Sequence, residues 1–352
     1  MLSSSDKRKL ADIVQGFAHE RIGYSYFCLF STVLLWLAAY AAIVLSDDIY
    51  IGLLGCAAAV ALNIRLFVIY HDYCHGALLK HANFLTRSVF GFFGLFIFFP
   101  PAQWTRSHDE HHRTNSILNF GTYSMTENYL SGYFMVVNTE QWAAFSPRQK
   151  VLYKLRRSGF SMVLGLLVFF VLPTLVKGVI DFRRCWTSFL SVLLHGALLL
   201  GLYRYAGSLS VLLYIASLLI ATAVGSYLFY AQHNFRGAKM YETADWDYLD
   251  AAFDSTSFFS MGRLGHWVTA NIGYHQVHHI NARVPFYQLP AAMAAIEGIA
   301  HVHRTTWRIS DIVSNLSCHV WDEKRQQFIR YEEIDRPADT NSRKESHCEL
   351  QK

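Results

Sequence analysis

Three short stretches of the chain concentrate imidazoles at helical spacing. HDYCH places His71 and His75 four apart, HDEHH places His108, His111 and His112 at spacings of three and four, and HQVHH repeats that pattern with His275, His278 and His279. Residues three and four apart share a helix face, so each stretch presents a converging set of ring nitrogens. One His-x-x-x-His pair arises easily by coincidence in a chain with 17 histidines. Two copies of His-x-x-His-His beside it point to collective metal binding. His233, in FYAQHNF at the end of an apolar run, is a further candidate. His195, in the middle of another run, reads instead as hydrogen-bonded to a neighbouring helix or a water.

The donor set narrows the metal. A structural zinc takes four ligands and a catalytic zinc three plus water, so this many imidazoles suit two ions with four or five nitrogens each. Magnesium and calcium prefer oxygen, and copper(I) recruits Cys or Met. Imidazole suits iron, and two adjacent irons can share the electrons that activate dioxygen. Soluble di-iron proteins commonly use Glu and Glu-x-x-His. The chain contains no Glu-x-x-His, so a di-iron site here is of the all-histidine kind.

The elements that position these residues are apolar. Hydrophobic residues make up 53% of the chain and charged residues 16%, below the roughly 25% of a soluble domain. Residues 27–45 and 211–232 carry no charge, and each exceeds the roughly 18–20 residues that cross a bilayer core. The net charge of +5 sits mainly in loops and tails, which fits the positive-inside pattern of a membrane protein better than nucleic-acid binding. The polar N-terminus and the length of the first apolar run speak against a cleavable signal. The six cysteines are scattered and read as ordinary thiols.

In chain order, spans are expected over 24–46 and 50–70, with Lys7, Arg8 and Lys9 holding the N-terminus in the cytoplasm. The stretch 89–104, VFGFFGLFIFFPPAQW, is interrupted by Pro100 and Pro101 and reads as a re-entrant or interfacial segment. A polar loop, 104–158, carries the second histidine stretch. Of the runs 159–176, 186–203 and 209–230, the first contains Pro173 and is expected to dip without crossing. The other two are expected to form a hairpin. That parity puts every histidine stretch and both termini in the cytoplasm.

HDYCH, HDEHH and HQVHH, in that order on this scaffold, resemble the three histidine boxes of the membrane fatty acid desaturase superfamily, over about residues 24–325. WTRSHDEHHRTN and FYAQHNF match further, and NIGYHQVHHINARVPFYQL is similar to the third-box region of bacterial acyl-lipid desaturases. Cys74 stands where a small residue is expected, and cysteine is still small. The resemblance implies an all-α integral membrane protein with about four transmembrane helices, re-entrant or interfacial segments, and a cytoplasmic helical cap holding a di-iron site. The corresponding organisation is a cytoplasmic N-terminus (1–23), a membrane domain with its cap (24–331) and a polar, disordered tail (332–352). His71, His75, His108, His111, His112, His275, His278 and His279 are implied as iron ligands, and His233 is similar in position to an additional histidine after the last span.

The implied reaction uses dioxygen and two external electrons to place a C=C bond in a fatty acyl lipid or acyl thioester, a step of lipid metabolism and fatty acid biosynthesis. A hydroxylase, ketolase or acetylenase of the superfamily would use the same ligands. A non-catalytic metal carrier or a bis-histidine haem protein would instead need ligands deep among the spans. Trp104 and Arg106 read either as the mouth of an acyl tunnel that binds substrate or as a membrane-interface pair. Asp72, Asp109 and Glu110 are placed to hold imidazoles through hydrogen bonds. The chain has no His-Pro-Gly-Gly haem motif, cysteine cluster or glycine-rich dinucleotide fingerprint, which implies a separate ferredoxin or cytochrome b5 type electron donor. Arg148, Lys150, Lys154, Arg156 and Arg157 read as a docking patch for it or as positive-inside loop charge.

Overall fold

A computed structural model of the protein describes residues 3–118, 134–299 and 302–334. Residues 119–133 of the polar loop, and residues 335–352 of the tail expected over 332–352, lie outside the described residues. Helix α1 (Ser4–Gln15) precedes two long apolar helices, α2 (Ile22–Leu45) and α3 (Ile49–Cys74). Asp48 starts α3 by accepting from the amides of Tyr50 and Ile51, which meets two of the orphan donors of a helix N-terminus. At 24 and 26 residues and about 1.5 Å per residue, both exceed a hydrocarbon core of about 30 Å. Nothing in Tyr-His-Asp-Tyr-Cys breaks a helix, so α3 continues past residue 70 and carries the first histidine stretch directly off the span.

Helices α4 (Phe84–Phe96) and α5 (Pro101–Thr114) meet at 76°, where the two prolines led us to expect a re-entrant break. Pro101 opens α5, a position whose amide would be unpaired anyway. Gly94 is required at the corner: a Cβ there would lie 2.8 Å from Pro101 Cδ and 3.0 Å from the Tyr70 hydroxyl.

The run 159–176, expected to dip without crossing, is helical but interrupted. It comprises Gly159–Val163, which ends at Leu164, a π-helix at Leu166–Val171 and α6 (Leu172–Ile180), and between the first two the chain is pressed against a later helix at Gly165. A Cβ at Gly165 would stand 2.5 Å from Ser226 Oγ and 2.8 Å from the Thr222 carbonyl. Pro173 falls in the first turn of α6, where proline is tolerated. The apolar stretch Leu166–Ile180 is about 22 Å long, shorter than a bilayer core.

Helix α7 (Thr187–His233) contains Gly207 at φ 78°, ψ −177°, a conformation open to glycine. In a straight helix His195 and Tyr214 would stand about 28 Å apart. The Tyr214 hydroxyl instead donates to His195 Nδ1 at 2.9 Å, so α7 folds back at Gly207 into two antiparallel arms. The expected hairpin is thus present, with its turn fixed by one residue. Its second arm packs on α3 through a buried polar string in which Trp36 Nε1 donates to Asn63 Oδ1 at 2.8 Å, Asn63 Nδ2 donates to the Tyr40 hydroxyl at 3.0 Å, and Tyr40 meets Ser217 Oγ at 3.0 Å.

The remaining chain forms a cap over one end of these helices, including α8 (His275–Ile280) and α9 (Leu289–Ile296). Among the described residues, strands are confined to the parallel pair 258–259 with 304–305 and the antiparallel pair 320–322 with 327–329. Helices α2, α3 and α7 are long and apolar enough to cross a membrane. The protein is an all-α membrane protein.

Candidate metal centre

The nine histidines singled out in the sequence meet under the cap in two groups. His71, His75, His108, His112 and His278 form one, and His111, His233, His275 and His279 the other, with the ligand atoms of each group within 4.8 Å of one another. The i, i+4 pair of α5 goes to the first group and the intervening His111, turned about 100° away, goes to the second. Helix α8 does the reverse, sending His275 and His279 to the second group and His278 to the first. Both helices therefore straddle the two groups, and the His112 and His279 rings stack across the divide at 4.2 Å.

Within the first group, Nε2 of His71 lies 2.9 Å from that of His108 and 3.3 Å from that of His75, and Nε2 of His112 lies 3.1 Å from that of His278. In the second, Nε2 of His233 lies 2.9 Å from that of His275 and 3.1 Å from that of His111. Nitrogens at about 2.1 Å from a shared ion would be spaced about 3 Å apart, so the residues fit a bound ion in each group. The His279 Nε2 is buried with no hydrogen-bond partner, a cost that an ion accepting its lone pair would remove.

Burial first, and the neighbouring imidazoles second, hold His108, His112, His275, His278 and His279 well below the ordinary histidine range. That favours the neutral, metal-ligating form.

Support for the rings is uneven. His71 Nδ1 lies 3.1 Å from Asp72 Oδ1, and the other carboxylate oxygen of this fully buried aspartate accepts from the Phe286 amide at 2.7 Å. His75 Nδ1 is 3.7 Å from Asp109, whose side chain is 49% exposed. His233 Nδ1 faces the Ser255 carbonyl at 3.3 Å. Glu110 is half-buried, and its carbonyl accepts from Thr114.

An apolar cavity of about 110 Å³ lies among the helices, lined by Asn63, Phe67, Phe99, Trp104, Leu218 and Phe229 among others, and two of these rings, Trp104 and Phe229, also touch the histidines. Trp104 stacks on His108 at 4.7 Å. Phe229 reaches both groups, with its ring 5.0 Å from His111 and 6.3 Å from His108. Of the two residues proposed for the tunnel mouth, Trp104 lines the cavity, whereas Arg106 is exposed.

The basic patch needs one correction. Arg148 and Lys154 are exposed and Lys150 and Arg156 half-buried, but Arg157 is 3% exposed. Its guanidinium donates to Asn234 Oδ1, the Cys318 carbonyl and the Met135 carbonyl at 2.6, 2.8 and 3.1 Å. It is a structural tie, placed inside by the neutral acceptors around it, and meets no docking partner. Sequence spacing did not reveal the division of boxes between groups, the Asp72–Phe286 anchor or the role of Phe229. The i, i+4 pairing inside each His-x-x-His-His carried the signal for the first.

By fold and site the protein falls in the class of helical membrane proteins with a histidine-rich candidate metal centre. Residues 48–310 match the family model for fatty acid desaturases. The chain is also 30% identical over 336 residues, 93% of its length and 92% of the relative's, to a fatty acid desaturase of Bacillus subtilis (strain 168). It belongs to the fatty acid desaturase family, and its function is of the desaturase type.

Proposed function

We propose that the protein is a multi-pass, di-iron, dioxygen-dependent desaturase that introduces a double bond into the acyl chain of a lipid. The observation that carries this reading is the gathering of nine imidazoles into two adjacent groups beside an apolar cavity. His71, His75, His108, His112 and His278 hold one iron, and His111, His233, His275 and His279 the other. An unactivated C–H bond offers no charge for acid–base groups to act on, and two irons supply the oxidising power that such a bond demands. One dioxygen, two electrons and two protons are consumed as –CH2–CH2– becomes –CH=CH– and two waters leave.

The chain's own residues bind, orient and exclude water. Asp72 holds the outer nitrogen of His71 and so aims Nε2 inward. Phe67, Trp104, Leu218 and Phe229 keep the methylenes dry and in register with the histidines. In the membrane, α2, α3 and the two arms of α7 make four spans, α4 and α5 form the re-entrant segment, and the cap and both termini face the cytoplasm. A ferredoxin or cytochrome b5 type donor docks at Arg148, Lys150 and Lys154.

The test is gas chromatography with mass spectrometry of fatty acids from a bacterial host co-expressing the protein with such a donor, beside its His111→Ala variant and with iron analysis of both proteins. New unsaturated chains from a protein with two irons, absent from the variant, are the expected result. Hydroxylated chains would move the reading to the superfamily's hydroxylases, and a protein that loads zinc or haem would sink it.

A further inference from the structure

A break between helices survives at membrane depth only where its backbone groups are satisfied within protein. The bend between α4 and α5 achieves this with side chains from three other elements. His195 Nε2, on the first arm of α7, lies 2.7 Å from the Phe96 carbonyl. The Tyr70 hydroxyl, on α3, donates to the Phe99 carbonyl at 2.6 Å, and the Thr174 hydroxyl, on α6, donates to that of Phe98. The Phe96 carbonyl can only accept, so the neutral ring carries its proton on Nε2, and its Nδ1, 2.9 Å from the Tyr214 hydroxyl, accepts from it.

The imidazole also lies flat on Phe98, with centroids 4.2 Å apart at 13°. Phe98 is held at φ +57°, a conformation that a bulky residue keeps only where its surroundings over-determine it. Ile97 and Phe99, on either side of Phe98, line the apolar cavity. His195 itself belongs to neither histidine group.

We infer that His195 is a positioning residue for the choice of carbons: gripped by Tyr214, it fixes the Ile97–Phe99 wall and so sets how far an acyl chain passes the histidine groups. The inference rests on the acyl-desaturase reading above. A residue that merely joined helices would change stability when replaced, and the products would stay the same. A residue that sets the wall changes which carbons react.

Two measurements on the full chain test this. One is hydrogen exchange over residues 94–99 in detergent, and the other is the position of the double bond in lipids from the expressing host. In His195→Leu, exchange over 94–99 is expected to rise about tenfold or more. The ratio of minor to major double-bond positions should rise by about the same factor, the scale on which an apolar pocket discriminates one methylene. His195→Gln keeps a donor for the Phe96 carbonyl and is expected to stay close to the unsubstituted protein in both. Tyr214→Phe shifts both in the direction of His195→Leu by less, and stands in should His195→Leu not fold. Unchanged double-bond positions in the leucine and phenylalanine variants overturn the inference, as does unchanged exchange. If the unsubstituted protein forms no unsaturated chain, the desaturase reading fails, while exchange still decides whether His195 holds the bend.

Discussion

The two histidine groups draw on the same helices, α5 and α8, yet are held in different ways. The five-membered group begins on α3 and is braced from outside by carboxylates. Asp72 is buried and bound on both oxygens, and Asp109 stands half-exposed beside His75. The four-membered group takes His233 from the end of α7, braced by the Ser255 carbonyl, and among the described residues has no carboxylate beside it; the outer Nδ1 atoms of His275 in this group, and of His112 and His278 in the other, are buried without a partner. A carboxylate on the outer nitrogen raises the basicity of the inner one. The same ligand type thus gives one group five donors, two of them backed by a carboxylate, and the other four donors with none. Two ions held this way would not be equivalent.

The comparison is broken most directly by removing one ligand from each side. His279→Ala leaves its group short of four, and is expected to abolish desaturation and reduce bound iron from about two per chain to about one. His75→Ala still leaves four imidazoles; iron content should stay near two, with activity reduced but measurable. Elemental analysis beside product assays reads both, and equal losses would mean that donor number is not what distinguishes the groups.

A smaller effect is expected from the supports. Asp72→Asn should lower activity or iron affinity roughly 10- to 100-fold. Asp109→Asn, whose carboxylate is half in solvent and 3.7 Å from the His75 ring, should cost less than about fivefold, because solvent screens such a pair to about 1 kcal/mol or less. Similar effects from both would remove the argument from burial.

Acid should act on both groups alike, and most gently. His112 and His278 in one, and His275 and His279 in the other, lie below the ordinary value of 6.5 when folded. The unfolded chain then binds more protons as pH falls, so their contribution to stability is complete above about 6.5 and is lost below it. The melting temperature of the iron-free protein should be level above that pH and decline beneath it. His278→Ala and His279→Ala should flatten the decline equally, and a difference between them would place a protonated imidazole in one group.

The parts of this arrangement that were legible in the sequence are those governed by local spacing. The histidine faces follow from intervals of three and four, the bend between α4 and α5 from Pro100 and Pro101, and the long helices from charge-free runs. What was not legible depends on contacts between distant segments. The close pass of Gly165 against Thr222 and Ser226 is encoded by no pattern within 159–176. Arg157 reads as one more loop cation until the carbonyls of Met135 and Cys318 close around it. Asp72 is one acid among several until the Phe286 amide reaches it. Composition pointed to the kind of site, and tertiary contact decided how its members were divided.

The separation of the boxes along the chain also sets a timetable. His71 and His278 lie with ring centroids 4.6 Å apart, although roughly 200 residues are made between them, which takes about 10–40 s at ribosomal speeds. For most of that interval the first two boxes are present without the third, and neither group of histidines is complete. A nascent chain that stops before α8 leaves both groups incomplete, so any ion that needs the full set of imidazoles must wait until α8 has been made.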